Sequence, residues 1–218
     1  RSVTPDCPFD VSGFGFSGVP GIIIGHNARI AWGFTNLTTA VTDLYIERVD
    51  GDDYWRDGEL VPLDERTETL KVAGGDDEEL VIRSTVHGPI VSGLTEDYDT
   101  IAEQPYVTTE DGAVGEPVAP PEGEYAVSLQ WTALSPGTTP RAIFALHVAE
   151  DFDDFRGAAE LFEVPAQNLI YADVDGNIGY QTPGKLPIRG LGDGWVPQPG
   201  WDSAYDWQGF IPFEELPV

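Results

Sequence analysis

The histidine and cysteine side chains of this 218-residue chain, which could act as nucleophiles, bases or metal ligands, are few and scattered. Its three histidines, His26, His87 and His147, are too far apart in the sequence to define a metal site. Cys7 is the single cysteine, which excludes an internal disulfide and a thiolate cluster. Residues 15–19 lack the final glycine of a G-x-S-x-G nucleophile elbow. Spacing alone therefore identifies no nucleophile.

One acidic segment begins with the spacing of a calcium-binding loop. Asp173, Asp175 and Asn177 match the first, third and fifth positions of an EF-hand loop. The sixth position is Ile178 where the loop needs glycine, and the twelfth is Gly184 where it needs glutamate. A tight hairpin centred on the Asp-Gly pair explains the same residues better.

The charge of the chain excludes two classes of partner. Lys and Arg number 11 and Asp and Glu number 38, so the formal net charge is −27. Nucleic-acid binding requires a cationic face, and an anionic membrane surface repels an acidic protein, so we expect neither partner. A hydrophobic content of 41% argues against disorder and is enough for one core.

Two interpretations of the acidity stay open. Asp and Glu keep a protein soluble, and an acidic, lysine-poor surface also suits concentrated salt, where screening weakens self-repulsion. Lys71 and Lys185 are the only lysines, which favours the halophilic interpretation. No apolar run is long enough to span a bilayer. We expect an extracellular, cell-surface or periplasmic protein of a halophile, with the cytoplasm as the alternative.

Short alternating segments separated by Gly and Pro predict a mainly antiparallel α+β domain over residues 1–218. Residues 151–162 have helical spacing with Asp151 placed to cap the N-terminus, and residues 142–148 fit a helix or a strand. Residues 94–123, rich in Glu, Pro and Gly, predict a variable surface excursion. The predicted strands are residues 44–49, 67–72, 80–82 and 125–132, and residues 168–173 and 178–182 predict a hairpin.

Three motifs, taken together, carry a specific family resemblance. Residues 25–36 read GHN-x-x-IAWG-x-TN, residues 87–89 read HGP and residues 167–180 read QN-x-x-YAD-x-x-GNIGY. In this order and spacing they resemble the β chain of the penicillin acylase (penicillin amidase) family, from about Phe14 to the C-terminus. The resemblance implies an N-terminal-nucleophile hydrolase, and so a four-layer αββα sandwich of which this chain forms part.

The resemblance also implies a reaction. A precursor of this family cleaves itself to expose an N-terminal Ser, whose hydroxyl attacks an amide while its own α-amino group acts as the base. An α-amine has an ordinary pKa of about 8, so one residue can supply nucleophile and base without a cofactor. The implied substrates are small N-acyl amides, such as those with β-lactam side chains and the acyl-homoserine lactones.

The resemblance assigns two oxyanion donors by position. One is the backbone N–H of Asn36 and the other is the side-chain amide of Asn168. The alternative for Asn168 is an amide that satisfies backbone groups where two strands diverge. Ile23 and Ile24 align with residues that line the acyl pocket, which favours aliphatic acyl groups, although two ordinary core isoleucines explain them equally well. His26 and its neighbour in the GHN motif are implied to be buried scaffold.

Some relatives bind a structural calcium ion with acidic residues from the stretch that follows the oxyanion N–H. Asp43 matches one of these ligands, whereas another ligand position holds Ala40 here. Asp173 is a further candidate ligand. Because calcium takes six to eight oxygen ligands, the missing carboxylate weakens this candidate site.

The family's nucleophile has no match in the chain. The nucleophilic Ser of the family lies several tens of residues before the GHN motif, whereas 24 residues precede Gly25, and Ser2 lies in a different context. We therefore expect an incomplete β-chain core, inactive by itself, whose partners are the α chain and the N-terminal β-chain segments of one precursor. Two alternatives stay open: a non-catalytic binding or structural relative, and a calcium-dependent surface module.

Overall fold

The computed structural model describes residues 7–103, 107, 108, 114, 115 and 122–218. These residues group into two units. The first comprises the segment up to Thr39 together with Ser135–Leu186 and Phe210–Val218, and the second comprises Ala40–Leu134 and Pro187–Gly209. Because each unit is assembled from segments that are distant in the sequence, neither is one continuous stretch of chain. The assignment of residues 1–218 to a single domain stays a prediction.

Strands dominate the described residues. In chain order they are β1 (Ser12–Phe14), β2 (Ile24–His26), β3 (Ile30–Asn36), β4 (Thr42–Asp50), β5 (Asp53–Arg56), β6 (Glu59–Pro62), β7 (Asp64–Leu70), β8 (Glu78–Thr85), β9 (Gly88–Pro89), β10 (Val107–Thr108), β11 (Val114–Gly115), β12 (Glu124–Trp131), β13 (Gln167–Asp173), β14 (Ile178–Gln181), β15 (Pro187–Arg189), β16 (Gln198–Pro199) and β17 (Trp207–Phe210). The α-helices are α1 (Glu96–Glu103), α2 (Thr139–Val148) and α3 (Phe152–Glu160). The long strand pairs are antiparallel, which confirms the predicted α+β class.

The first unit contains a five-stranded sheet with the strand order β1-β2-β3-β13-β14. Alternate residues of β3 and β13 share one buried face, because successive side chains of a strand point to opposite faces. Ile30 and Trp32 of β3 lie with Leu169 and Tyr171 of β13 in one hydrophobic cluster. Phe155 of α3 belongs to the same cluster, so helix packing holds the β3–β13 pair in place.

Helices α2 and α3 and the hairpin follow from local signals. Residues 142–148, which fit a helix or a strand, lie in α2, where Pro140 occupies the first turn and needs no N–H partner. Asp151 caps α3 as predicted, since its side chain accepts a hydrogen bond from the backbone N–H of Asp154 at 3.0 Å. The predicted hairpin is formed by β13 and β14.

The second unit contains a sheet of order β12-β4-β5-β6, with β16 parallel to β4, and a smaller sheet of order β7-β8-β9. The strands predicted at residues 44–49, 67–72, 80–82 and 125–132 are confirmed by β4, β7, β8 and β12, although β7 already ends at Leu70. Ile46, Val91 and Val127 form a buried cluster in this unit. Across the described ranges, no helix is long and apolar enough to cross a membrane.

Residues 94–123 were expected to be a surface excursion, and their described part contains α1 and the short pair β10–β11. Tyr98, Ile101 and Ala102 of α1 pack against a hydrophobic cluster that includes Val107, which is only 2% exposed. This part of the segment is therefore helical and partly buried on one side, and its assignment as a variable surface excursion stays a prediction. Three apolar residues at helical spacing give α1 a face to bury, which the many acidic residues around them had obscured.

Candidate functional site

The two predicted oxyanion donors lie on neighbouring strands of the first unit. In the β3–β13 pair, Asn36 lies opposite Gln167, and Asn168 is the next residue along β13. The N–H of Leu37 donates to the carbonyl oxygen of Ala166 at 3.0 Å, and N–H directions alternate along a strand. The N–H of Asn36 therefore points away from β13, toward the β2 side of β3 and beyond the last β2–β3 pair.

The side-chain amide of Asn168 has a defined orientation. Its Oδ1 accepts a hydrogen bond from the hydroxyl of Tyr180 at 2.6 Å. Its Nδ2 lies 3.2 Å from the carbonyl oxygen of Asn36 and 3.4 Å from both the carbonyl oxygen and Oγ1 of Thr35. If the amide were rotated by 180°, its oxygen would face two carbonyl oxygens, and none of the three can donate a hydrogen bond. The nitrogen is therefore the atom that points toward the end of β3. These contacts are longer than the usual hydrogen bond of about 2.9–3.0 Å, so a closer acceptor could compete for the amide N–H groups.

Gln167, for which the sequence indicated no role, holds the side chain of Asn36. It is buried, and its Nε2 donates to Oδ1 of Asn36 at 2.9 Å and to the carbonyl oxygen of Pro165 at 3.3 Å. Because Gln167 and Asn36 are directly opposite in the register, their side chains lie on one face of the sheet. Its place beside Asn168 in the QN motif is the signal that could have identified it.

An apolar cavity of about 510 Å³ lies in the first unit, at the end of β3. Thr35 and Asn36 line one part of its wall, and Ile23 and Ile24 line another. The described residues that line it include no ionisable side chain, and four phenylalanines, Phe16, Phe34, Phe144 and Phe162, supply further wall. An uncharged, apolar volume suits an apolar group of a ligand, so the arrangement can hold an acyl chain next to the end of β3.

The two isoleucines predicted to bind the acyl group differ in burial. Ile23 is buried in a cluster with Ala142, Ile143 and Phe162, and Ile24 is partly buried against the same cluster. Both also line the cavity, so they are core residues and cavity wall at once. Their role in acyl binding stays a prediction.

The carboxylates predicted to bind calcium already have partners. In the second unit, Arg189 donates to both oxygens of the buried Asp43 at 2.8 Å, and Nε1 of Trp207 donates to Oδ2 at 2.5 Å. In the first unit, the amide and backbone of Asn177 donate to Asp173 and hold the pKa of that carboxyl at about 2. Within the described residues, no three His, Cys, Asp or Glu side chains cluster as metal ligands. Since Asp43 is already paired with a guanidinium, the residues do not fit a calcium site as they are arranged.

The GHN motif supplies scaffold through Asn27. Its Nδ2 donates to the carbonyl oxygens of His147 and Ala149 at the end of α2, at 3.2 and 2.7 Å, and its Oδ1 accepts from the N–H of Ile30 at 2.8 Å. His26, by contrast, is exposed. The implied burial of His26 is therefore wrong, because its position on β2 leaves the ring in solvent, whereas the scaffold role belongs to its neighbour.

A separate cluster of titratable groups lies in the second unit, around the HGP motif. His87 is 4% exposed, its Nδ1 lies 2.8 Å from Oε1 of Glu47, and its Nε2 lies 2.9 Å from Oδ1 of Asp206. Tyr45 stacks on the ring with the centroids 3.7 Å apart. Burial lowers the pKa of an imidazole, but the hydrogen bonds to Asp206 and Glu47 outweigh it, so the pKa of His87 is raised. A carboxylate oxygen lies beside each ring nitrogen, and both nitrogens can donate only when the ring is protonated, so the arrangement favours the imidazolium.

The two carboxylates of this cluster keep their charge despite burial. Glu47 is fully buried, and its Oε1 also accepts from the hydroxyls of Thr85 at 2.7 Å and Ser128 at 2.6 Å. Burial raises the pKa of Glu47, but the hydrogen bond from His87 and its charge outweigh it, so the pKa is lowered. The pKa of Asp206 is lowered by the same balance. The cluster ties β4, the β8–β9 turn and the start of β17 together.

Comparison with known proteins gives a consistent result. The penicillin amidase family model matches residues 2–218. The chain is 31% identical over 212 residues to the penicillin acylase 2 proenzyme of Pseudomonas sp. (strain SE83), which covers 96% of this chain and 24% of that protein. It is 29% identical over 206 residues to the acyl-homoserine lactone acylase QuiP of Pseudomonas aeruginosa, covering 93% and 23%. It is 31% identical over 213 residues to the penicillin G acylase of Escherichia coli, covering 96% and 22%.

A solved structure has the same fold. The thermostable penicillin G acylase from Alcaligenes faecalis matches with a TM-score of 0.74 at 28% identity, over 96% of this chain and 34% of that chain. This match confirms the fold implied by the sequence resemblance. The chain spans about a quarter of the length of the curated relatives it matches.

Proposed function

The chain belongs to the penicillin amidase family, and from that membership we propose that the protein of which it is part hydrolyses the amide bond of N-acyl compounds. The main support is the apolar cavity beside Asn36, because the Asn36 N–H and the Asn168 amide belong to the end of the same strand pair. An acyl chain in the cavity would bring its carbonyl group to this end. The nucleophile, on this proposal, comes from the part of the protein outside this chain, with the α chain and the N-terminal β-chain segments as its partners.

The proposed reaction proceeds through an acyl-enzyme. The Ser hydroxyl oxygen attacks the carbonyl carbon while its proton passes to the α-amine, and the oxyanion is stabilised by the Asn36 N–H and the Asn168 amide. Collapse of the tetrahedral intermediate breaks the C–N bond, and the leaving amine takes the proton that the α-amine had accepted from the Ser hydroxyl. Water then hydrolyses the ester, which releases the carboxylic acid and restores the Ser. Neutral donors suit this role because neither has a proton to lose at working pH.

The cavity wall predicts a preference for aliphatic acyl groups. The β-branched side chains of Ile23 and Ile24 are stiff, so a flexible chain adapts to them more easily than a planar ring does. We expect the full-length protein, in molar NaCl, to cleave octanoyl p-nitroanilide with a kcat/KM about tenfold above that for phenylacetyl p-nitroanilide. Release of p-nitroaniline is the readout, and the acetyl compound, which cannot fill the cavity, is the control. A preference for phenylacetyl would reject the acyl assignment, and no release from any of the three would reject the function.

A non-catalytic relative that binds N-acyl compounds is the second candidate. The observation that favours it is the position of the Asn168 amide nitrogen, which lies within 3.4 Å of the carbonyl oxygens of Thr35 and Asn36. Such contacts are those of an amide that satisfies backbone groups where two strands part. This candidate predicts ligand binding without turnover by the full-length protein, so the same assay separates the two.

The acidic composition predicts a requirement for salt. With a net charge of −27 on this chain, self-repulsion opposes folding at low ionic strength, and the Debye length falls from about 10 Å at 0.1 M to about 3 Å at 1 M. We propose that the protein works in concentrated salt outside the cytoplasm. We expect its Tm to rise by on the order of 10 °C between about 0.1 and 2 M NaCl, measured by calorimetry. Sucrose is the control, since it favours burial without screening charge, and a Tm that is level or falls in NaCl would reject this setting.

A further inference from the structure

Tyr180 contacts Asn168 because of the register of the β13–β14 hairpin. Tyr180 on β14 pairs with Ile170 on β13, and Asn168 lies two residues from Ile170 on the same face of the sheet. A diagonal neighbour of this kind is within reach of a long aromatic side chain. The Tyr180 hydroxyl donates to Oδ1 of Asn168 at 2.6 Å, at the short end of the range for an O–H···O hydrogen bond.

The hydroxyl of Tyr180 is itself held by a buried residue. It lies 2.8 Å from Oγ1 of Thr182, and because its single proton goes to Asn168, its oxygen accepts from the Thr182 hydroxyl. Thr182 is 1% exposed. The N–H of Thr182 donates to the carbonyl oxygen of Pro217 at 2.9 Å, and its carbonyl oxygen accepts from Nε2 of Gln181 at 3.0 Å. The hydrogen-bonded series from Thr182 through Tyr180 to Asn168, which we term the hydroxyl relay, therefore starts at an anchored position.

We propose that Tyr180 is a positioning residue for the oxyanion donor Asn168, with Thr182 as its anchor, an inference that rests on the proposed function. The hydroxyl relay fixes Oδ1 of Asn168, so Nδ2 is the atom presented to the end of β3. Each hydroxyl in a hydrogen-bonded chain also polarises the next group, which makes the amide N–H a stronger donor to a developing negative charge. Tyr180 acts through this amide and not on the substrate.

The test is Tyr180→Phe in the full-length mature protein. Phenylalanine keeps the ring on the sheet but leaves Oδ1 of Asn168 without its donor, so the amide can rotate away from the productive orientation. We expect kcat to fall about tenfold with KM unchanged, because the lost interaction acts in the transition state. Rates are normalised to processed protein quantified by mass spectrometry, and Tm is recorded alongside. A purely structural role for the hydroxyl would lower Tm without this split between kcat and KM.

The matched control is Tyr171→Phe, which removes a hydroxyl from the other strand of the same hairpin. The Tyr171 hydroxyl donates to Oδ2 of Asp173 at 2.8 Å and lies on the buried face of the sheet. We expect this variant to keep the wild-type kcat. The double variant Asn168→Ala with Tyr180→Phe should be no slower than Asn168→Ala alone, since the hydroxyl has no amide left to position.

The outcomes separate this proposal from the function on which it rests. A wild-type kcat for Tyr180→Phe beside an impaired Asn168→Ala overturns the positioning role alone, as does a double variant slowed by a further tenfold. A wild-type kcat for Asn168→Ala overturns the oxyanion role itself. If the Tyr180→Phe precursor does not cleave itself to the mature protein, the Thr182→Val variant is measured instead. A lowered kcat of that variant supports the hydroxyl relay, and an unchanged kcat overturns it.

Discussion

Replacing Asn168 by alanine in the full-length protein is expected to lower kcat by about 10²–10³-fold, equivalent to about 2.7–4 kcal/mol of transition-state stabilisation. The amide is the only side-chain donor proposed for the oxyanion, and its N–H groups strengthen their hydrogen bond as negative charge develops on the substrate oxygen. KM is expected to change little, because the apolar cavity beside Asn36 supplies the binding. Steady-state cleavage of octanoyl p-nitroanilide by the mature protein measures both constants.

Asn177→Ala is the matched control for Asn168→Ala. Asn177 lies in the turn of the same β13–β14 hairpin, and its Nδ2 donates to Oδ2 of Asp173 at 2.8 Å in an exposed position. Its loss removes an amide of the same type from the same hairpin without touching the end of β3. We expect a kcat within twofold to threefold of the wild type. If Asn168→Ala also kept a kcat close to that of the wild type, the Asn168 side chain would satisfy backbone groups only.

That Asn36 and Asn168 lie close together could be predicted from the motifs and their order, whereas their role as oxyanion donors stays a prediction. Asn36 ends one motif and Asn168 is the second residue of another, and the β3–β13 register then brings both to one strand end. The cross-strand contacts of Gln167 and Tyr180 could not be predicted in the same way. A cross-strand contact depends on which residues are paired, and a shift of one residue would turn Tyr180 to the opposite face. Alternation of polar and apolar residues predicts a strand but does not fix its partner.

The buried cluster around His87 was beyond prediction for a different reason. Glu47, His87 and Asp206 lie in separate parts of the sequence, and each is an ordinary charged residue when considered alone. Unpaired charged side chains are rarely buried, so residue type alone predicts that all three lie on the surface. Only the fold shows that two carboxylates and an imidazole compensate one another, as the 2.8 and 2.9 Å contacts of His87 indicate.

Replacing His87 by alanine is expected to lower the free energy of unfolding by about 3–5 kcal/mol, because it leaves the fully buried Glu47 carboxylate without its cationic partner. Arg56 contacts Asp206 and can compensate that carboxylate, whereas Glu47 would keep the uncharged hydroxyl donors Thr85 and Ser128 among the residues that the structure describes. Denaturant titration of the full-length protein, followed by tryptophan fluorescence, measures the loss.

The matched control for His87→Ala is His26→Ala. The ring of His26 is exposed, with Nδ1 at 3.1 Å from the carbonyl oxygen of Asn27, so we expect a change within about 0.5 kcal/mol. A loss in His87→Ala that is no larger than this would show that the buried cluster contributes nothing to stability.

The loss of unfolding free energy in His87→Ala is expected to depend on pH, and the pKa shifts of the cluster set the direction of that dependence. The pKa of His87 is raised above its ordinary value near 6.5, so its contribution is complete below that pH and is lost as the pH rises through the raised value. The pKa values of Glu47 and Asp206 are lowered, so their contributions are present above the ordinary values near 4.5 and 3.8 and are lost as the pH falls through the lowered ones. The difference between wild type and variant should therefore be largest between about pH 5 and 6.5 and shrink at alkaline pH. A difference that stays constant from about pH 5 to 9 would contradict a buried imidazolium and leave His87 a packing role against Tyr45.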